Sequence, residues 1–158
     1  MQSKHQLSNR QIMFNKEEAA KFRKDFWTSY GKSFPRKWLL YNTKIKGFSF
    51  KFYADNKTAF VTLDIEPNYK SKRELLYQQV VALKTVLEEE YIPEIIFDEN
   101  YTLDTGKVIS RVYVKLDKKF SIYDKNTWGS AFEFFNKNMA KFELWFYDFE
   151  DFIKQAKT

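Results

Sequence analysis

The chain has 158 residues, of which 44% are hydrophobic and 30% charged, a composition typical of one globular domain. It has no cysteine and a single histidine, His5, which excludes disulfides, thiolate metal sites and histidine triads. Its four glycines form no phosphate-binding loop, and we expect no cofactor. Because no apolar run approaches the roughly 18 residues of a membrane span, and the first residues lack the core of a secretory signal, we expect a cytoplasmic protein without a membrane partner.

Positive charge is concentrated in the first half of the chain. The net charge is +6; residues 1–79 contain 16 Lys/Arg and 7 Asp/Glu, whereas residues 80–158 contain 11 and 14. The segment 32–57 alone contains seven basic residues and one acid. A one-sided distribution of this kind favours an anionic partner.

The N-terminal part predicts a tail followed by a helix. Residues 1–13 are polar and aperiodic, so we expect a flexible tail, with a single domain over residues 14–158. Asn15 and Glu18 form a capping box, and apolar side chains then recur at helical spacing until Gly31.

Two hairpins and two further helices follow. Alternating apolar residues over 48–52 and 58–65 predict two strands joined by a turn at 54–57. Ser71 and Glu74 form a second capping box for a helix that extends to about Tyr91. Residues 94–103 and 108–116 predict another hairpin, with a turn containing glycine between its strands.

The last helix, from about Thr127 to Lys154, is the richest in aromatic residues. Its apolar side chains recur at spacings of three and four: Trp128, Phe132, Phe135, Met139, Phe142, Phe146, Phe149 and Ile153. The element order is therefore α-ββ-α-ββ-α. It predicts an α+β domain in which two antiparallel hairpins form one four-stranded sheet packed with three helices.

The basic connector, residues 32–46, interleaves cations with aromatic rings. Cations suit phosphates and exposed rings suit unpaired bases, so the mixture favours a nucleic acid or another polyanion as partner. The candidate nucleic-acid-binding residues are Lys32, Arg36, Lys37, Trp38, Tyr41, Lys44, Lys46 and Lys51. The alternative is that the connector's rings enter the core while its lysines are merely solvated.

The last helix offers a second hypothesis, a protein-interaction or homodimer module. Trp145 and Phe152 lie outside the apolar stripe and are candidate partner-interface residues. A minor alternative is a Mg²⁺-dependent nuclease using Asp98, Asp117 and Lys119. Such acidic and basic matches arise readily by chance, and we expect a non-catalytic protein.

Several segments together resemble a bacterial family known as domain of unknown function 4268. They are FWTSYGK at 26–32, WLLYNTKIKG at 38–47, ADNKTA at 54–59 and the aromatic helix from Trp128 onward, so the similarity extends from about Met13 to Ile153. Family members occur alone or behind nuclease-like domains in proteins that look like restriction or defence components. The resemblance implies an auxiliary role facing nucleic acid and supplies no catalytic residues.

Overall fold

The computed structural model describes residues 15–36, 38 and 42–156. Its main elements are α1 (Lys16–Ser33), β1 (Phe48–Ala54), β2 (Ala59–Ile65), α2 (Lys70–Ala82), a short α3 (Lys84–Val86), β3 (Ile96–Thr102), β4 (Val108–Lys115) and α4 (Trp128–Ile153). A π-helical turn (Leu87–Tyr91) follows α3, and a 3-10 turn (Lys125–Thr127) precedes α4. The expected tail over residues 1–13 lies outside the described residues.

The four strands form one antiparallel sheet in the order β1-β2-β4-β3. Each predicted hairpin is present, and β2 pairs with β4 to join them; Leu63 lies opposite Phe50 on one side and Val112 on the other. The predicted α+β fold, with the order α-ββ-α-ββ-α, is therefore confirmed.

One face of the sheet and the long helices enclose the core. Phe48, Phe50 and Phe52 project from β1 onto this face. Phe50 meets Phe142 of α4 at 5.2 Å between ring centres, and Phe52 meets Phe135 at 5.0 Å. The predicted stripe of α4 is buried except for the half-buried Phe149, which confirms that this helix supplies much of the core.

The first capping box is confirmed and the second prediction is wrong. Asn15 accepts a hydrogen bond from the Glu18 amide at 2.8 Å and donates one to its carboxylate at 2.9 Å. At α2 the N-cap is Tyr69, which makes no side-chain capping bond, so Ser71 lies within the first turn instead of before it. The helical segment ending at Tyr91 is also divided among α2, α3 and the π-helical turn.

The opposite face of the sheet carries a buried ion pair. Arg111 donates to both carboxylate oxygens of Asp64, at 2.8 and 2.9 Å, and its guanidinium lies over the rings of Phe60 and Tyr101. These contacts cover the centre of that face with its own side chains.

None of the helices in the described ranges is long and apolar enough to cross a membrane.

Candidate anion-binding site

Two members of the basic connector anchor it to the core. Trp38 is buried, with 2% of its surface exposed. The Arg36 guanidinium lies 4.1 Å from the centre of its ring and binds the Glu143 carboxylate at 2.6 Å. Trp38 is therefore not available to stack on a base, and the charge of Arg36 is already compensated.

The remaining predicted cations have different surroundings. Lys51 lies 3.6 Å from Asp64 and 3.9 Å from Glu66, two carboxylates that also bind Arg111 and Lys107, so its charge is partly compensated. Lys32 is exposed in the last turn of α1. Lys37 and Tyr41 lie outside the described residues. The structure therefore does not bring all the predicted cations to one place.

Lys44 and Lys46 are held by a tightly bonded loop, residues 42–47. The buried Thr43 hydroxyl donates to the Phe48 carbonyl at 2.6 Å and accepts from the Ile45 amide at 3.2 Å. The Lys44 amide donates to the Asn42 side chain at 3.0 Å, and Lys44 adopts a left-handed backbone with a φ of 61°. These bonds fix where the two lysines leave the backbone.

The loop forms one wall of a cavity of about 480 Å³, which we call the lysine cavity. The other lining residues lie before and within α2 and at the end of α4: Pro67, Asn68, Tyr69, Lys72, Leu76, Ile153, Lys154 and Ala156. Its charged and aromatic lining side chains are Lys44, Lys46, Tyr69, Lys72 and Lys154. The fold thus brings together cations from three separate parts of the chain.

No carboxylate lines the lysine cavity among the residues that the structure describes. Lys154 binds Glu150 one helical turn earlier, at 3.1 Å. Lys44, Lys46 and Lys72 form no ion pair within the described ranges. Lys44 and Lys46 also line an adjoining cavity, of about 390 Å³, that contains Glu66. Like charges that converge with few nearby carboxylates raise the local positive potential and attract anions.

Other cavities that contain lysines also contain acids. A cavity of about 370 Å³ between β4 and α4 has four lysines together with Glu94, Asp117 and Glu133. Another, of about 300 Å³, has Lys57, Lys119 and Asp124. The absence of a carboxylate distinguishes the lysine cavity from these two within the described part of the chain.

A buried arginine adjoins the lysine cavity in sequence. Arg73 follows Lys72 in α2 and donates to the Glu99 carbonyl at 2.6 Å and to the Ser110 hydroxyl at 2.8 Å. Its third partner is the Asn100 side-chain oxygen, at 3.3 Å. These acceptors are neutral, and they hold the guanidinium against β3 and β4.

Sequence patterns did not identify Tyr69, Lys72 or Lys154 as candidates. Tyr69 is 73% exposed and is the aromatic ring that the cavity presents. The sequence signal for Tyr69 was its position just after Pro67 and before a helix, which places the ring on a loop. Binding residues often lie on loops. The two lysines had no local signal, since only the tertiary fold brings them near Lys44.

The residues proposed for a partner interface are mostly covered. Trp145 is fully buried and Phe152 is half-buried, while the Phe152 carbonyl accepts from Gln79 at 2.8 Å. On α4 the large apolar side chains that are exposed are Leu144 and Tyr147. Two side chains do not approach the roughly 800 Å² per partner of a standard interface.

The nuclease alternative lacks its geometry. Asp98 lies opposite Arg111, which is four residues before the end of β4. At the rise of a β-strand, those four residues separate Asp98 from the end of β4 by on the order of 13 Å. Asp117 and Lys119 lie beyond that end and are exposed. In the described ranges, no three acidic or histidine side chains are grouped to hold a metal ion.

Comparisons with known proteins identify the family. No curated protein and no solved structure matches the chain. The family described as a domain of unknown function, DUF4268, matches residues 22–150, which include the sheet and most of α1 and α4. This match covers well over half of the 158 residues, and the chain belongs to the DUF4268 family.

Proposed function

We propose that this domain is a non-catalytic module that binds the phosphate backbone of nucleic acid at the lysine cavity. The observation that carries the proposal is the convergence of Lys44, Lys46, Lys72 and Lys154 on one cavity, with no carboxylate among its described lining residues. Phosphate oxygens are the anions that a nucleic acid presents in series, and lysine binds them as a compact charge.

The position of the cations supports a docking surface more than a chance cluster. Lys44 and Lys46 extend from a loop fixed by the bonds of Thr43, and Lys72 extends from a helix. Because the backbone positions are fixed, less conformational entropy is lost when an anion binds than if the cations lay on a flexible segment.

The experiment is a titration of a fluorescein-labelled, mixed-sequence oligonucleotide with the protein at about 50 mM salt, read as anisotropy. We expect the triple variant Lys44→Gln/Lys46→Gln/Lys72→Gln to bind about tenfold or more weakly than the wild type. All three side chains lie at least partly in solvent, so we expect the variant to fold.

A matched control removes the same charge elsewhere. Lys57, Lys118 and Lys119 are exposed and follow the strand ends Ala54 and Lys115, on the order of 20 Å along β1 from the loop. Changing these three to glutamine should leave the affinity close to the wild-type value. Equal losses of affinity in the two triple variants would show that net charge alone drives binding. If the wild type does not bind the oligonucleotide at this salt concentration, the proposal is refuted.

A further inference from the structure

We infer that the lysine cavity holds one unpaired nucleotide, with its base against Tyr69 and the apolar floor and its phosphate near the lysines. This inference rests on the proposed function and goes beyond it, because a backbone-binding site need not contact bases at all. It commits the domain to single-stranded nucleic acid as its partner.

The lining of the cavity is amphipathic. Ile45, Pro67 and Ala156 are partly exposed and provide the apolar surface of the lining, which we call the apolar floor, above the buried side chains of Leu76 and Ile153. A polyanion that carries only charge, such as heparin, has no apolar face to place there. A nucleotide has both a phosphate and a flat base, so it complements both parts of the lining.

Tyr69 is placed to stack on that base. It is 73% exposed, whereas Trp38, the ring that the connector offered for stacking, is 2% exposed. Tyr69 is the N-cap residue of α2, so its backbone is fixed while its ring remains accessible. An exposed ring beside cations is the arrangement that binds single strands with little dependence on sequence.

The size of the cavity limits how much of a strand enters it. About 480 Å³ lies within the range of cavities that bind small ligands, roughly 300 to 1,000 Å³. A base that remains paired within a duplex is covered by its partner and neighbours and cannot fill the apolar floor. We therefore expect the site to select a single unpaired nucleotide.

The test compares four labelled probes of equal length or charge: oligothymidylate, the same strand with abasic sugars, a duplex and heparin. We expect oligothymidylate to bind on the order of tenfold more tightly than the abasic strand. Tyr69→Ala should remove this difference in affinity and leave heparin binding unchanged. Tyr69→Phe keeps an aromatic ring and should therefore keep the difference. Tyr147→Ala, which removes an exposed ring on α4, is the matched control and should behave as the wild type.

The outcomes separate the two proposals. If all four probes bind alike and Tyr69→Ala changes nothing, base contact is refuted while phosphate binding stands. If the duplex binds as tightly as oligothymidylate, the unpaired-nucleotide inference is likewise refuted. If none of the probes binds at low salt, the proposed function fails and the inference fails with it.

Discussion

Gly47 sets the shape of the loop that carries Lys44 and Lys46. Its φ is +70°, and a Cβ atom there would collide with the backbone nitrogen and Cα of Pro67. The Gly47 carbonyl also accepts a hydrogen bond from the Glu66 amide at 2.6 Å. Backbone atoms cannot move aside as a side chain can, so this contact requires glycine.

We therefore predict that Gly47→Ala lowers the free energy of unfolding by more than about 3 kcal/mol, the sum of left-handed strain and overpacking. Gly106→Ala is the control, because Gly106 also has a positive φ, 89°, but has open space around it. That variant should lose only about 1 to 2 kcal/mol. Urea unfolding measures both, and equal losses would show that the contact with Pro67 is unimportant.

Individual side chains also show where sequence patterns are insufficient. The connector left two alternatives for Trp38, an exposed ring that stacks on a base or a ring in the core, and the structure buries it beneath Arg36. A run of alternating rings and cations is compatible with rings that face the core or rings that face solvent, because their orientation depends on which other elements cover the segment. Here Glu143 of α4, 107 residues from Arg36, decides it.

The turn between β1 and β2 is stabilised by Asp55. Burial raises the pKa of Asp55, but hydrogen bonds from the amides of Lys57 and Thr58 and the hydroxyls of Tyr53 and Thr58 outweigh it and lower the pKa below its usual value. A carboxyl whose pKa is lower in the folded state stabilises the fold above its unfolded pKa of about 3.9. That contribution is lost as the pH falls through the folded pKa.

We predict that the urea midpoint of the wild type falls as the pH drops below about 4 and that Asp55→Asn reduces this dependence. Tyr53→Phe removes one of the bonds to the carboxylate and should reduce it by a smaller amount. Unfolding curves at neutral and acidic pH measure the effect. Identical pH dependence in the wild type and Asp55→Asn would contradict the role assigned to this turn.

The core role of α4 gives a prediction for that helix. Phe135 is fully buried, and its ring lies 5.7 Å from that of Trp27 at an interplanar angle of 16°. Phe135→Ala should cost about 3 to 5 kcal/mol of stability. Leu144→Ala, on the exposed side of the same helix, should change the free energy of unfolding by no more than about 0.5 kcal/mol. Comparable losses from the two substitutions would mean that the buried stripe has been misidentified.

Periodicity predicted the elements well because burial repeats with the geometry of the backbone. In α4 the buried residues recur every three or four positions, and in β1 they recur every second position, because one face of each element packs against the core. The start of α2 was mispredicted because Ser71 and Glu74 have the spacing of a capping box without its geometry. Short capping patterns depend on the entry direction of the chain, which Pro67 and the sheet determine.

At the scale of the whole molecule, half of the cavity's lysines were predicted and half were not. Lys44 and Lys46 belong to the basic segment that the excess of charge in the first half of the chain indicated, and both line the cavity. Lys72 and Lys154 reach the cavity from other elements. Arg36 and Lys51 bind carboxylates that other elements of the fold bring to them. Long-range placement of this kind leaves no local pattern.

The salt dependence of binding tests the lysine cavity most directly. Each phosphate contact to a single strand contributes a slope of about 0.7 in log affinity against log salt concentration. We predict that Lys44→Gln/Lys46→Gln/Lys72→Gln flattens that slope by about 2, while the matched change at Lys57, Lys118 and Lys119 leaves it at the wild-type value. A slope that is the same in all three proteins would contradict the assignment of phosphate binding to this cavity.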